Sequence, residues 1–182
     1  LVISFIKSIY YSFLYVGRYL TIKGIEDLWS AFLKFNETNK EWILNCVGNG
    51  ELFKNKIKHK NIIHHDFIQP ECLPKLVSKS GVFIMPSHFD HWGMAVQEFA
   101  AAGLPIICSS EVGSATEFLK EGENGYSFEA KNIESLCETL HKIANNDTNK
   151  LIRFGNKSNE LSSKYNVKTW SDTLNKIIEG VD

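Results

Sequence analysis

Short apolar runs alternate along the chain with amphipathic segments of helical period. The apolar runs predict β-strands at 12–17, 42–47, 61–65, 81–85, 106–108 and 126–128. The amphipathic segments predict helices at 24–35, 51–59, 70–80, 93–102, 115–120, 151–161 and 167–178, with one more helix capped by Asn132 and running through Ile143. In the first helix the buried face is expected to comprise Ile25, Leu28, Trp29, Phe32 and Leu33.

Strand and helix alternate about six times, which predicts a parallel sheet with helices on both faces. The fold class is therefore α/β, a Rossmann-like three-layer αβα sandwich of about six strands. Ligands of such folds bind outside the carboxyl ends of the strands. The segments that follow the strands should line one crevice, and they include 17–18, 48–50, 65–67, 86–88 and 109–113.

The chain divides into three parts. We interpret 1–11 as a linker or edge segment from a preceding N-terminal domain, 12–146 as the Rossmann-like domain and 147–182 as helices packed on it. The chain begins with Leu1 rather than Met, as expected for a piece of a longer protein. Its apolar start is too short for a membrane span and lacks the cleavage site of a signal peptide.

Composition narrows the class of protein. The 182 residues are 43% hydrophobic and 23% charged, which excludes intrinsic disorder and a disulfide-rich miniprotein. The net charge is −1, so nucleic acid is not expected as a partner. The four cysteines show no paired spacing and predict reduced thiols in a cytoplasmic protein.

The richest stretch for chemistry is 86–105, which runs from a strand end into a helix. The helix opens at Gly93, and the free amides of Gly93, Met94 and Ala95 would form an anion site. Asp90 and Glu98 flank these amides and would accept hydrogen bonds from the hydroxyl groups of a ligand. In the alternative interpretation, Glu98 is a solvated helix residue and Asp90 a loop cap.

Two further stretches follow the first two strands. In 17–24, Arg18 and Lys23 could converge as a clamp on a diphosphate, or be two solvated loop charges. In 47–53, Phe53 replaces the third glycine of a dinucleotide-binding pattern, so a nicotinamide cofactor is weakly supported. Close approach of this loop to a ligand remains an expectation.

Together these motifs resemble the C-terminal half of a family 4 retaining glycosyltransferase of the GT-B fold. The resemblance runs from about 12 to 144 and rests on FLYVGRYLTIKGIEDLWSAF, ILNCVGNGEL and LPKLVSKSGVFIMPSHFDHWGMAVQEFAAAGLPIICSSEVGSATEFLKEGENGYSF. It implies a domain that binds a nucleotide-sugar donor of UDP or GDP type. The acceptor domain precedes it in the family and is absent here, so the chain is expected to be inactive by itself.

The resemblance also implies roles for individual residues. Arg18 and Lys23 match the basic pair that holds the donor diphosphate, and Glu98 matches the acid that binds the ribose hydroxyls. The acid that contacts the sugar falls at Asp90, where the family usually has Glu. The remaining donor-binding candidates are Gly17, Gly48, Asn49, Gly50, Phe67, His91, Trp92, Gly93, Met94 and Ala95. His65 and Asp66 stand where the family usually has a glycine-containing segment near the base.

The implied reaction is retaining transfer through an oxocarbenium-like state, with Arg18, Lys23 and the helix amides stabilising the departing diphosphate. No metal and no further cofactor is expected. The acceptor would be a sugar, a lipid-linked group or a protein, bound through the N-terminal domain. The full-length protein is expected in the cytoplasm, with peripheral association at the inner face of the cytoplasmic membrane as an alternative location.

Particular residues bear on the alternative functions. A non-catalytic relative that binds nucleotide sugars would explain the Asp at 90. An oxidoreductase would need the complete glycine fingerprint after the first strand, and a flavodoxin-like regulator an acidic residue at a strand end. His88 and His91 are weak candidates for contact with the donor or acceptor. Trp92 and Glu117 are interpreted as structural, and Trp29, Trp42 and Trp170 as core or interdomain packing.

Overall fold

The computed structural model describes residues 11–165 and 167–179. The elements, in chain order, are β1 (Ser12–Val16), α1 (Ile25–Asn36), β2 (Ile43–Val47), β3 (Ile62–His65), α2 (Leu73–Val77), β4 (Val82–Met85), α3 (Met94–Ala101), β5 (Ile106–Ser109), α4 (Ala115–Phe118), β6 (Gly125–Phe128), α5 (Ile133–Ala144), α6 (Thr148–Ser163) and α7 (Val167–Glu179). Two short 3-10 helices occupy Thr21–Lys23 and Glu51–Asn55.

The six strands form one sheet in the order β3-β2-β1-β4-β5-β6, and every pairing is parallel. This confirms the predicted Rossmann-like α/β class. The order reverses at the neighbouring strands β1 and β4, because the chain continues from β1 into the half with β2 and β3 and from β4 into the half with β5 and β6. Such a switch point leaves a crevice at the carboxyl ends of the two strands.

Both faces of the sheet are covered, as the continuous apolar strands predicted. Side chains of β1 alternate between two cores: Phe13 and Tyr15 pack with α1 and α5, whereas Leu14 packs with α3. The helix α6 packs mainly against α3. The Asn132 cap is confirmed, because its side chain accepts a hydrogen bond from the Ser135 amide.

Three helix predictions need correction. Leu33 is 37% exposed, since it lies about 100° around α1 from Phe32, beyond the edge of the buried face. The segment 51–59 is helical only over Glu51–Asn55, and the chain then runs extended so that Ile57 packs on the core and its carbonyl accepts from His64 Nε2. The predicted helix 70–80 is reduced to Leu73–Val77.

Two other expectations fall at the chain ends. The segment 1–11 lies outside the described residues except for Tyr11. Trp29 and Trp42 are buried core residues, but Trp170 on α7 is 68% exposed and does not belong to the core of this domain. No helix in the described part of the chain is long and apolar enough to cross a membrane.

Candidate active site

A cavity of about 200 Å³ lies at the switch point, between the carboxyl ends of β1 and β4. The 3-10 helix before α1, the loop 86–93 and the first turn of α3 complete its walls. Its lining comprises Tyr15, Val16, Gly17, Lys23, Met85, Ser87, Asp90, Gly93, Met94 and Ala95. Six of the candidate site residues from the sequence therefore meet in one cavity.

Lys23 and Asp90 form an ion pair at this cavity. The distance from Lys23 Nζ to Asp90 Oδ2 is 2.5 Å, and the two side chains are only 21% and 17% exposed. A charged group with so little exposure to water requires an opposite charge nearby. Lys23 and Asp90 provide this for each other. The sequence predicted that Lys23 contacts the diphosphate and Asp90 the sugar of the donor. The structure brings these two side chains into direct contact with each other.

The position of Lys23 depends on the glycine after it. Gly24 has φ +66°, and a Cβ there would lie 1.9 Å from the carbonyl oxygen of Pro86. The backbone before α1 therefore touches the backbone after β4, which only glycine permits. This contact brings the chain segments of Lys23 and Asp90 together.

The first turn of α3 presents free backbone amides to the cavity. Gly93 has φ +78°, and its carbonyl accepts from the Val96 amide and from the Ser114 hydroxyl. The amides of Gly93, Met94 and Ala95 precede that first bond of the helix. Amides in this position, together with the helix dipole, are suited to bind an anion, and the anion site itself stays a prediction.

Ser87 is a cavity residue to which the sequence assigned no role. Its side chain is fully buried, and its hydroxyl has no hydrogen-bond partner within the described residues. The Ser87 carbonyl, in contrast, accepts from the Ser109 hydroxyl at 2.5 Å. Its position two residues after β4 was the available signal, but burial without a partner is visible only in the structure.

Arg18 and Glu98 lie outside the cavity lining. Arg18 is exposed, and its backbone is held by the Tyr15 hydroxyl, which donates to the Arg18 carbonyl at 2.7 Å. Glu98 is exposed on α3, one turn after Met94. Neither side chain forms an ion pair within the described residues, so both are free to meet a ligand that extends beyond the cavity.

The loops after β2 and β3 are joined beside the cavity. The Asn49 side chain donates to Asp66 Oδ1 at 2.8 Å, and the same oxygen accepts from the Phe67 amide at 2.7 Å. Gly48 has φ +134°, and a Cβ there would lie 2.0 Å from the Gly17 carbonyl oxygen. Close backbone approach, rather than a complete dinucleotide fingerprint, explains this glycine.

The remaining candidates are exposed: Gly50 and Phe67 belong to these two loops, whereas His91 and Trp92 belong to the loop after β4. Gly50 is exposed beside Asn49, and Phe67 is 65% exposed. His91 is exposed with its ring against Phe89, at 4.7 Å between centroids. Trp92 is 42% exposed and meets Phe118 edge to face at 6.3 Å, in agreement with a packing role.

Two residues outside the predicted site also find partners. His88 turns away from the cavity and pairs with Asp27 on α1. Glu117 accepts a hydrogen bond from the Tyr165 hydroxyl, in agreement with its predicted structural role. Within residues 11–165 and 167–179, no three His, Cys, Asp or Glu side chains cluster closely enough to hold a metal ion.

Comparison with known proteins identifies the class of protein. The family model "Glycosyl transferases group 1" matches residues 4–161. The chain therefore belongs to the group 1 glycosyltransferases. Its fold is the Rossmann-like half found in the GT-B architecture.

Curated relatives agree with this assignment. An uncharacterized glycosyltransferase of Methanocaldococcus jannaschii is 29% identical over 71% of this chain and 35% of its own length. A glycogen synthase of Mycobacterium tuberculosis is 27% identical over 71% of this chain and 33% of its own. The chain thus spans about a third of the length of these relatives.

Solved structures show the same fold. The pneumococcal O-GlcNAc transferase GtfA, in complex with UDP and GlcNAc, aligns with a TM-score of 0.80 at 17% identity, covering 93% of this chain and 35% of that one. The C-terminal domain of a group 1 family protein from Francisella tularensis aligns with a TM-score of 0.75 at 19% identity and covers 86% of both chains. The second match is between two units of similar extent.

Proposed function

We propose that this chain is the donor-binding half of a retaining glycosyltransferase and holds a nucleoside diphosphate sugar in the cavity at the β1–β4 switch point. The observation that carries the proposal is the convergence of Lys23, the free amides of α3 and the unpartnered Ser87 hydroxyl on one cavity of about 200 Å³. All three are donors, and together they match the acceptor-rich surface of a phosphate.

The diphosphate would occupy the cavity, with Arg18 reaching it from the rim. When the bond between the sugar and the diphosphate breaks, negative charge develops on the departing oxygen. Lys23, Arg18 and the α3 amides would stabilise that charge, and the loss of one such donor costs about 10²–10³ in rate in other enzymes. No metal or other cofactor is assigned to this step.

The rest of the donor would extend from the cavity in two directions. Glu98, exposed one turn into α3, would accept hydrogen bonds from the ribose hydroxyls. Asn49 and Phe67 lie on the joined loops after β2 and β3, where the base would rest. Asp90 would face the sugar once the diphosphate has drawn Lys23 away from it, and its carboxylate oxygens would then accept hydrogen bonds from the sugar hydroxyls.

The acceptor would bind to the remainder of the full-length protein, since this chain corresponds to about a third of its relatives. Without that part, the chain would bind donor but transfer nothing. The acceptor would be a sugar, a lipid-linked group or a protein. We propose that the full-length protein lies in the cytoplasm, either free or associated with the inner face of the cytoplasmic membrane.

The test begins with calorimetric titration of the full-length protein against UDP, GDP and ADP, followed by sugar derivatives of the nucleotide that binds. Saturable binding of one nucleotide, followed by turnover of its sugar with the anomeric configuration kept in the product, is the expected result. Inversion of configuration would contradict the retaining mechanism. Binding without any turnover would favour the non-catalytic relative, and no binding of any nucleotide or sugar nucleotide would reject the proposal.

A further inference from the structure

The side chains of Asp27 and His88 join the two segments that carry the Lys23–Asp90 pair. His88 Nε2 lies 2.7 Å from Asp27 Oδ2, and the two side chains are 14% and 25% exposed. Asp27 stands in the first turn of α1, four residues after Lys23. His88 stands in the loop after β4, two residues before Asp90.

The backbone makes the same connection. The His88 amide donates to the Ile22 carbonyl at 2.9 Å, and Gly24 touches the Pro86 carbonyl. The start of α1 and the loop after β4 are thus joined by one backbone hydrogen bond, one close backbone contact and two side-chain pairs. Of these, only the Lys23–Asp90 pair lines the cavity.

We infer that the Asp27–His88 pair is a positioning device that fixes the distance between Lys23 and the amides of α3. This inference rests on the proposed function. A bound diphosphate draws Lys23 away from Asp90, because the phosphate oxygens compete for the same ammonium group. The Asp27–His88 pair would still join the start of α1 to the loop after β4, because neither residue lines the cavity in which the diphosphate would bind.

From the sequence, His88 was a weak candidate for direct contact with the donor or acceptor. The positioning role is different, because it needs no contact with either. The Nε2 atom is engaged by Asp27, so His88 acts through Lys23. The pair should therefore influence donor affinity and turnover only as long as Lys23 is present. Loss of geometry by a fraction of an ångström in a binding site can lower catalytic efficiency strongly.

The test uses the full-length protein with UDP, GDP and ADP as probes, and the corresponding sugar nucleotide for kinetics. Asp27→Ala should raise the Kd of the nucleotide diphosphate that binds and lower kcat/KM by about 10-fold or more. Asp27→Asn keeps an oxygen that accepts from Nε2–H and should restore most of the loss. The control Glu160→Ala removes a carboxylate paired with Lys157 at 3.1 Å on α6, away from the cavity lining, and should change neither value.

A double-mutant cycle separates positioning from general destabilisation. In a Lys23→Ala background, Asp27→Ala should produce no further loss in kcat/KM. A full additional 10-fold loss in that background would overturn the inference, as would unchanged Kd and kcat/KM in Asp27→Ala. If Asp27→Ala does not fold, His88→Leu, whose side chain cannot form a hydrogen bond with Asp27, replaces it in the same cycle. If the wild-type protein binds no nucleotide or sugar nucleotide, the proposed function fails, and the positioning role fails with it.

Discussion

Lys23 and Asp90, 67 residues apart in the sequence, are held 2.5 Å apart at the mouth of the cavity between β1 and β4. The pair neutralises both charges in the absence of a ligand. A diphosphate that enters the cavity would compete with Asp90 for Lys23. The carboxylate is therefore placed to set how strongly the site attracts anions, in addition to its proposed role at the donor sugar.

Replacement of Asp90 by Ala should separate these two effects. The change removes a negative charge beside the diphosphate position, so the nucleoside diphosphate should bind at least as tightly as to the wild-type protein. The intact nucleotide sugar should bind more weakly, because its hydroxyls lose an acceptor. Calorimetry with both ligands checks this, and equal affinity of the two proteins for the sugar nucleotide would remove Asp90 from the sugar site.

Replacement of Arg18 by Ala should abolish nucleoside diphosphate binding and leave stability unchanged. Arg18 is exposed and forms no ion pair within the described residues, so the fold loses nothing measurable with its side chain. Surface changes of this kind usually stay within about 0.5 kcal/mol. Thermal unfolding tests the unchanged stability, and calorimetry tests the loss of nucleotide binding. Arg153→Ala, at an exposed arginine on α6, is the matched control and should bind nucleotide normally.

Ser87→Ala should have opposite effects on stability and on ligand affinity. A buried hydroxyl without a partner costs about 1–3 kcal/mol, so its removal should stabilise the free protein. The same change removes a donor from the cavity and should weaken diphosphate binding. Ser109→Ala is the matched control, because the buried Ser109 hydroxyl donates to the Ser87 carbonyl, and its loss should destabilise the fold by about 1 kcal/mol. Destabilisation by Ser87→Ala would contradict the prediction.

Gly24→Ala should damage the site by forcing two backbones apart. The added Cβ would overlap the Pro86 carbonyl, and the positive φ adds about 1–2 kcal/mol of conformational strain. Gly122 has a similar φ of +74° but no atom within 4 Å of a built Cβ, so Gly122→Ala isolates the conformational cost. We expect Gly24→Ala to lose about 1–3 kcal/mol more in unfolding free energy than the control, together with nucleotide binding.

Stability should fall in mild acid partly because of His64. Burial lowers the pKa of His64, and Nε2 lies 3.0 Å from the Ile57 carbonyl while Nδ1 lies 3.0 Å from the Tyr19 hydroxyl. The folded state therefore resists a proton that the unfolded state takes up near pH 6.5. The contribution is complete above that pH and is lost as the pH falls below it. Urea unfolding at pH 7.5 and 5.5 should show a smaller difference for His64→Gln than for the wild-type protein.

Much of the site was accessible from the sequence because it depends on local signals. Gly93 and the following residues predicted a helix N-terminus after a strand, and that geometry fixes where the free amides point. Lys23 before a helix and Asp90 in a loop were identified by type and position. Their direct contact was not predictable, because it depends on the closeness of Gly24 to Pro86, a contact between segments far apart in the chain.

The misplaced elements have a common physical cause. Leu33 satisfies the helical period but lies at the edge of the face that α1 buries, and only the packed neighbours determine how wide that face is. The stretch after Asn55 was predicted as helix, yet packing of the partly buried Ile57 against the core holds it extended. Ser87 was passed over because a serine at a strand end is ordinary until its burial and missing partner are seen.

By itself, the sequence determined the class of fold, the order of strands and helices, and the residue types that gather at the strand ends. These follow from hydrophobic periodicity and from glycine and capping positions, which act over a few residues. Tertiary structure alone decided which of these residues touch: Lys23 with Asp90, His88 with Asp27, and the buried Ser87 hydroxyl with the open cavity. Contacts between distant segments depend on how the sheet and helices pack, and packing is a property of the whole chain rather than of any window within it.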